Sequence, residues 1–171
     1  MSNKIVKQLS KDSDYSRFIN ILNTVNLEPK ILLEEVTRLH TSRKSRLLNV
    51  KGTISSAKIT KAALQDTAFR SRVVEIRSQV RQQLNALDSG FGIVHNALLG
   101  RYAGSLLKPY NTKAEKESVI ASLKEMQRAQ KLIDDFSSLV ELCEDVIEDI
   151  DKSAWALKLA MQGLEIASRD G

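Results

Sequence analysis

FRSRVVEIRSQVRQQLNALDSGFGIVHNALLGRY, residues 69–102, decides the fold. Its apolar positions Phe69, Val73, Ile76, Val80, Leu84, Leu87, Phe91, Val94, Leu98 and Tyr102 advance by fours and threes. Nine steps cover 33 residues, close to the natural period of a straight α-helix, so little left-handed supercoil is demanded. The pattern firms from about Ser56 and predicts one long helix over residues 57–107. Gly90, Gly92, Gly100 and Gly104 each weaken that helix by up to about 1 kcal/mol relative to Ala, and mark either a kink or the close approach of a neighbour.

Working toward the C-terminus, Lys108-Pro109-Tyr110-Asn111 reads as a turn. Thr112-Lys113-Ala114-Glu115 is a capping box, with Thr112 as N-cap and Glu115 reaching back to it. The helix that follows carries Val119, Leu123, Met126, Ile133, Phe136, Val140, Cys143, Ile147 and Ile150 at near-heptad spacing. Running over 113–150, it extends ~57 Å at ~1.5 Å per residue. Two such helices joined by a short turn form an antiparallel hairpin. The last segment, with Trp155, Leu159 and Ile166, continues helical after a bend near Asp151.

Toward the N-terminus, residues 1–12 are polar and read as loose. Tyr15, Phe18, Ile19, Leu22 and Val25 then recur at helical spacing in a short amphipathic helix. Leu27-Glu28-Pro29 ends it, and Pro29 suits the first turn of the next helix, which places Ile31, Leu32, Val36 and Leu39 on one side. Beyond these, Arg43, Lys44, Lys51, Lys58 and Lys61 would share a helical face with Leu47, Val50 and Ile54. Charge and apolar surface then fail to separate. With Gly52 as a break, two helices joined by an irregular basic connector near residues 48–56 are expected. The chain so divides into short N-terminal helices with the connector, 1–55, and a long hairpin with its C-terminal helix, 56–171.

Composition agrees with an all-α fold. Aromatics are only 5%, whereas a sandwich or barrel needs more aromatic and β-branched residues with turns at short intervals. The single cysteine, Cys143, rules out an internal disulfide and fits a reducing compartment. No apolar run approaches the ~18 residues of a membrane span. MSNKIVKQLSKDSDYS, residues 1–16, lacks the apolar core of a signal peptide, so a cytoplasmic protein is expected.

The net charge of +5 hides an asymmetry. Residues 1–81 hold 16 basic and 7 acidic side chains, a balance of +9, and residues 82–171 hold 10 and 14, a balance of −4. Residues 132–151 carry eight acids and no base. Such a chain suggests a polyanionic partner for one end, or ends that dock on each other within or between subunits.

No catalytic constellation stands out. His40 and His95 fall in different elements, with no Cys or acidic cluster at ligand spacing. His95, beside Val94, reads as a partly buried structural histidine, and Cys143 on the apolar seam reads as packing. No Gly-rich loop leads into Lys-Ser or Lys-Thr, which excludes a nucleotide-binding P-loop. Glu144/Glu148 and Asp145/Asp149 share helix faces, but a di-metal carboxylate bundle needs Glu-x-x-His, which is absent. A non-enzymatic protein without metal or cofactor is expected.

The basic run remains. Residues 37–61, TRLHTSRKSRLLNVKGTISSAKITK, hold seven Lys or Arg, and no acid lies between residues 36 and 65. A solvated face is one reading, and a docking site for an acidic surface is another. Phosphate is the third, since it neutralises uninterrupted like charge with release of counterions. Interleaved Thr41, Ser42, Ser45, Thr53, Ser55, Ser56 and Thr60 add phosphate hydrogen bonds. The scarcity of aromatics argues against base stacking, so binding should be largely sequence-independent. An anionic membrane fits less well, because the run lacks an apolar face to insert.

In the second half, Tyr102-Ala103-Gly104, Lys113-Ala114-Glu115-Lys116, Leu142-Cys143, and Ile150, Lys152, Trp155-Ala156-Leu157-Lys158 stand in order. Over roughly residues 96–168 the chain resembles the T4-type phage recombination mediator proteins of the UvsY family. They carry a Tyr-x-Gly near a helix end and a Cys-x11-aromatic-Ala-aliphatic-Lys segment, the spacing kept by Cys143 and Trp155. The resemblance implies a small oligomeric all-α protein that binds single-stranded DNA. It would help load a RecA-like recombinase onto strands coated by single-strand-binding protein, in the service of recombination and DNA repair. The family places Lys and Arg just before its Tyr-x-Gly. Here those positions are Asn96 and Leu98, with Arg101 nearby, so DNA contact is expected to shift to the N-terminal half.

The expected phosphate contacts are therefore Arg38, Arg43, Lys44, Arg46, Lys51, Lys58 and Lys61, with Arg101. Asp134, Asp135, Glu144, Asp145, Glu148, Asp149 and Trp155 are the expected homo-oligomer or partner interface. Arg70, Arg72, Arg77 and Arg81 form a second basic cluster, alternatively paired with the acids of 134–151. The rival reading is a helical-bundle assembly adaptor whose basic and acidic halves are subunit interfaces without nucleic acid.

Overall fold

The structure, a computed structural model, describes residues 7–48 and 55–167, with the side chains of all but 45–48 and 167. The chain is all-α: α1 Ser13–Thr24, α2 Pro29–Leu48, α3 Ser56–Tyr102, α4 Lys113–Ala121 and α5 Lys124–Ala167. Its contacts divide into two compact units. The first comprises Met1–Leu27 and Arg81–Ser137, the second Glu28–Val80 and Ser138–Gly171.

In the first unit α1 packs on the later half of α3. Asp12 caps α1, its carboxylate accepting from the N–H groups of Asp14 and Tyr15. Tyr15, Phe18 and Leu22 are buried at the 3.6-residue period, and Phe18 meets Phe91 edge-on at 6.3 Å. Residues 7–12 are not loose as expected: 7–9 are helical, and Leu9 and Asp12 are buried. Gly90 marks a close approach, because a Cβ there would lie 3.3 Å from Ile21 Cδ1 and 3.4 Å from Phe18. At Gly92, Gly100 and Gly104 a Cβ would meet nothing within 4 Å, so those three serve no packing contact.

α3 ends at Tyr102, several residues short of the expected 107. The chain turns there, Leu107 donating its N–H to the Tyr102 carbonyl at 2.9 Å and burying its side chain. The capping box forms as expected, with Thr112 Oγ1 accepting from the Glu115 N–H and Glu115 accepting from Thr112. The helix it starts is interrupted, however. Ser122 closes α4 by donating its hydroxyl to the Val119 carbonyl at 2.7 Å, and Leu123 turns inward before α5 begins. Ile120 and Leu123 lie beside Leu98, and Met126 and Ala129 are buried after them.

In the second unit α2 and the early half of α3 pack with the late half of α5. Val36, Val73, Ile76, Val80, Leu139, Cys143 and Val146 are buried. The expected bend near Asp151 does not occur. α5 runs unbroken to Ala167, with Asp151 held by Arg70 and Lys152 by Glu148 one turn back. Early α3 lies beside late α5 in this unit, and late α3 lies beside α4 in the other. Among the described residues no helix is long and apolar enough to cross a membrane.

Candidate nucleic-acid interface

The basic run supplies α2's last turns and α3's first. Along α2, Leu32, Val36, Leu39 and Arg43 step by four, three and four, so Arg43 falls on the stripe that faces the core. It is 1% exposed. Its Nη1 donates to Asp149 Oδ2 at 2.6 Å and its Nη2 to the Asp149 carbonyl at 3.3 Å. Its Nε lies 3.3 Å from Asp66 Oδ2, within ion-pair range but off the line of a hydrogen bond. The buried guanidinium thus ties α2 to α3 and α5, and it is withdrawn from any phosphate. This corrects its place among the expected DNA contacts. Ile31 is likewise corrected, since it points outward at 62% exposure rather than sharing the Val36 face.

His40 sits one turn before Arg43, its Nε2 4.0 Å from Asp149. Burial, then the neighbouring positive charge of Lys44, holds its imidazole below the ordinary histidine range. His40 therefore adds little positive charge at neutral pH. His95 in the other unit stacks on Phe91, with centroids 6.2 Å apart.

Within the basic run, four of the expected cations are exposed: Arg38 and Lys44 on α2, Lys58 and Lys61 on α3. All four belong to the second unit. Thr37, Thr41 and Ser42 line a shallow groove with Arg38, Glu34 and Leu33. The side chain of Arg46, and Lys51 with most of the expected 48–56 connector, lie outside the described residues.

Arg101 is engaged elsewhere. It donates to both oxygens of Asp12 at 3.1 and 3.0 Å and also pairs with Asp14. Burial raises the Asp12 carboxyl, but the Tyr15 N–H, Arg101, the Tyr102 hydroxyl and the Asp14 N–H together outweigh it and leave the group below the ordinary carboxylate range. Sequence reasoning missed Asp12 altogether. The readable signal was an Asp two and three residues ahead of the N–H groups of Asp14 and Tyr15, an N-cap placement.

The second arginine cluster is divided. Arg70 forms a two-pronged pair with Asp151 at 2.7 and 3.1 Å. Arg72 does the same with Glu35 of α2, and also reaches Glu75. That guanidinium, first and then the burial opposing it, leaves Glu35 below the ordinary carboxylate range. The expected acidic interface is similarly partitioned. Asp134 and Asp135 are exposed in the first unit, where Gln130 donates to Asp134. Glu144, Asp145, Glu148 and Asp149 belong to the second unit. Asp149 is taken by Arg43 and Glu148 pairs with Lys152, whereas Asp145 is exposed. Trp155 is 66% exposed.

Cys143 is fully buried, and burial pushes its thiol up to about 11. A thiol so placed is a poor nucleophile at neutral pH. Among the described residues no group of three or more His, Cys, Asp or Glu is placed to hold a metal ion. The fold is that of an all-α helical-bundle protein, and four exposed cations of the basic run belong to one unit. In comparison with known proteins, the chain matches no family model, no curated protein and no solved structure.

Proposed function

We propose that this protein binds single-stranded DNA largely without regard to sequence. It acts as a non-enzymatic recombination mediator that assists loading of a RecA-like recombinase onto strands coated by single-strand-binding protein. The observation that carries the reading is the set of exposed cations Arg38, Lys44, Lys58 and Lys61 on one compact unit. Two of the acids on the same elements are engaged elsewhere. Glu35 is bound by Arg72, and Asp66 is buried against Arg43. Hydroxyls of Thr37, Thr41 and Ser42 flank Arg38 and suit phosphate oxygens.

Titration of a fluorescent oligonucleotide at two salt concentrations tests this. Affinity should fall steeply with salt, each phosphate contact adding about −0.7 to the log–log slope for a single strand. Lys58→Glu with Lys61→Glu should weaken binding and flatten the slope, while Arg101→Gln should not. Absence of binding at low salt, or binding indifferent to salt, overturns the reading.

An assembly adaptor is the second reading, favoured by the apolar end of α5, where Trp155, Leu159 and Ile166 are exposed. Reversing Lys44, Lys58 and Lys61 separates the two. Loss of oligomer with DNA binding unchanged would favour the adaptor, and loss of DNA binding with mass unchanged favours the mediator.

A further inference from the structure

Past Ile150, no residue of α5 up to Ile166 is buried. The segment is nonetheless apolar on two opposite sides. Leu157, Met161 and Leu164 are half-buried, and the first two line a groove of about 290 Å3 with Ile59 and Ala63 of α3. On the other side Trp155, Leu159, Gln162 and Ile166 step by four, three and four, with the three apolar members 66%, 46% and 61% exposed. A helix with a second apolar stripe has a second face to bury. The four-three-four spacing is that of a coiled-coil seam, which specifies a helix as the covering element.

We infer that the covering helix is the same segment of a second copy, running antiparallel. With a two-fold axis between residues 160 and 161, Trp155 opposes Ile166 of the second copy, and Leu159 opposes its Gln162. Lys158 and Glu165 fall on one flank of the seam, seven residues apart. The two-fold brings Lys158 of each copy to Glu165 of the other, giving two ion pairs by symmetry. The opposite flank sets Ala156 against Gly163, two small residues with open space at Gly163, which leaves room for the second helix. A parallel pairing would set Trp155 against Trp155 and leave Lys158 facing Gly163. A partner of uniform charge, or an anionic lipid surface, would match only one of the two flanking charges. A second copy, carrying the same two charges, matches both.

This gives a form to the homo-oligomer expected from the sequence and is tested without DNA, so a negative DNA titration leaves it untouched, and the reverse. Sedimentation equilibrium over a concentration series should show monomer and dimer. Trp155 is the only tryptophan, so its emission should move to shorter wavelength as concentration rises. Leu159→Glu should weaken dimerisation about tenfold or more, with helical circular dichroism unchanged because Leu159 is outside its own core. Lys158→Glu and Glu165→Lys should each weaken the dimer, and the two combined should restore it. A wild-type chain that stays monomeric, a dimer indifferent to Leu159→Glu, or a double reversal no better than either single one overturns the pairing.

Discussion

Arg43 shows how a residue's type can mislead about its place. In the sequence it belongs to an acid-free basic run, and composition gives no means of separating it from Lys44. Its register does: it continues the stripe of Leu32, Val36 and Leu39, where a charge reaches water only by breaking the helix face. The acids that receive it, Asp66 and Asp149, are remote in sequence, Asp149 by 106 residues. Removing the guanidinium takes from Asp66, itself 3% exposed, the cation that lies 3.3 Å from it. Arg43→Ala should therefore destabilise the fold by about 3 kcal/mol or more in urea unfolding, while the folded variant keeps its affinity for single-stranded DNA. Asp12 gives a second case. Its folded-state carboxyl lies below the ordinary range, so its contribution is complete above the unfolded value and is lost as pH falls through the folded one. Asp12→Asn should cost about 1 kcal/mol at neutral pH and should reduce the acid sensitivity of unfolding followed by circular dichroism.

Among the elements, α3 and the body of α5 were legible because their burial is one-sided. Val73, Ile76, Val80, Leu87, Val94 and Leu98 are all core, as the fours and threes require. The capping box was legible because both partners lie within four residues. What stayed hidden has no local punctuation. The break at Ser122-Leu123 involves neither Gly nor Pro, and it follows from Leu123 turning into the core. Ile31 and Leu32 are adjacent apolar residues, and only tertiary packing chooses between them. The glycines of α3 were read as kink or close approach, and the structure assigns the second role to Gly90 alone. Gly92→Ala should then raise stability by up to about 1 kcal/mol. Gly90→Ala should gain less, because Ile21 Cδ1 must give way. Thermal unfolding of the two variants side by side checks the difference.

At the scale of the whole molecule, the charge asymmetry had two readings, a polyanionic partner or ends that dock on each other. The second unit holds part of the answer within one chain: Arg43 with Asp149 and Arg70 with Asp151 join basic early residues to acidic late ones. The cations not used this way were not separable by sequence, because exposure depends on which helix face packs. The interleaving of the units also sets a timetable during synthesis. Each unit combines an early stretch of chain with a late one, the second closing only with residues from 138 onward. At about 5–20 residues per second, Arg43 leaves the ribosome roughly 5–20 s before Asp149. In that interval α2 has no complete core to join, and its positive charge stays hydrated and open to whatever polyanion lies nearest, the ribosome's own RNA included.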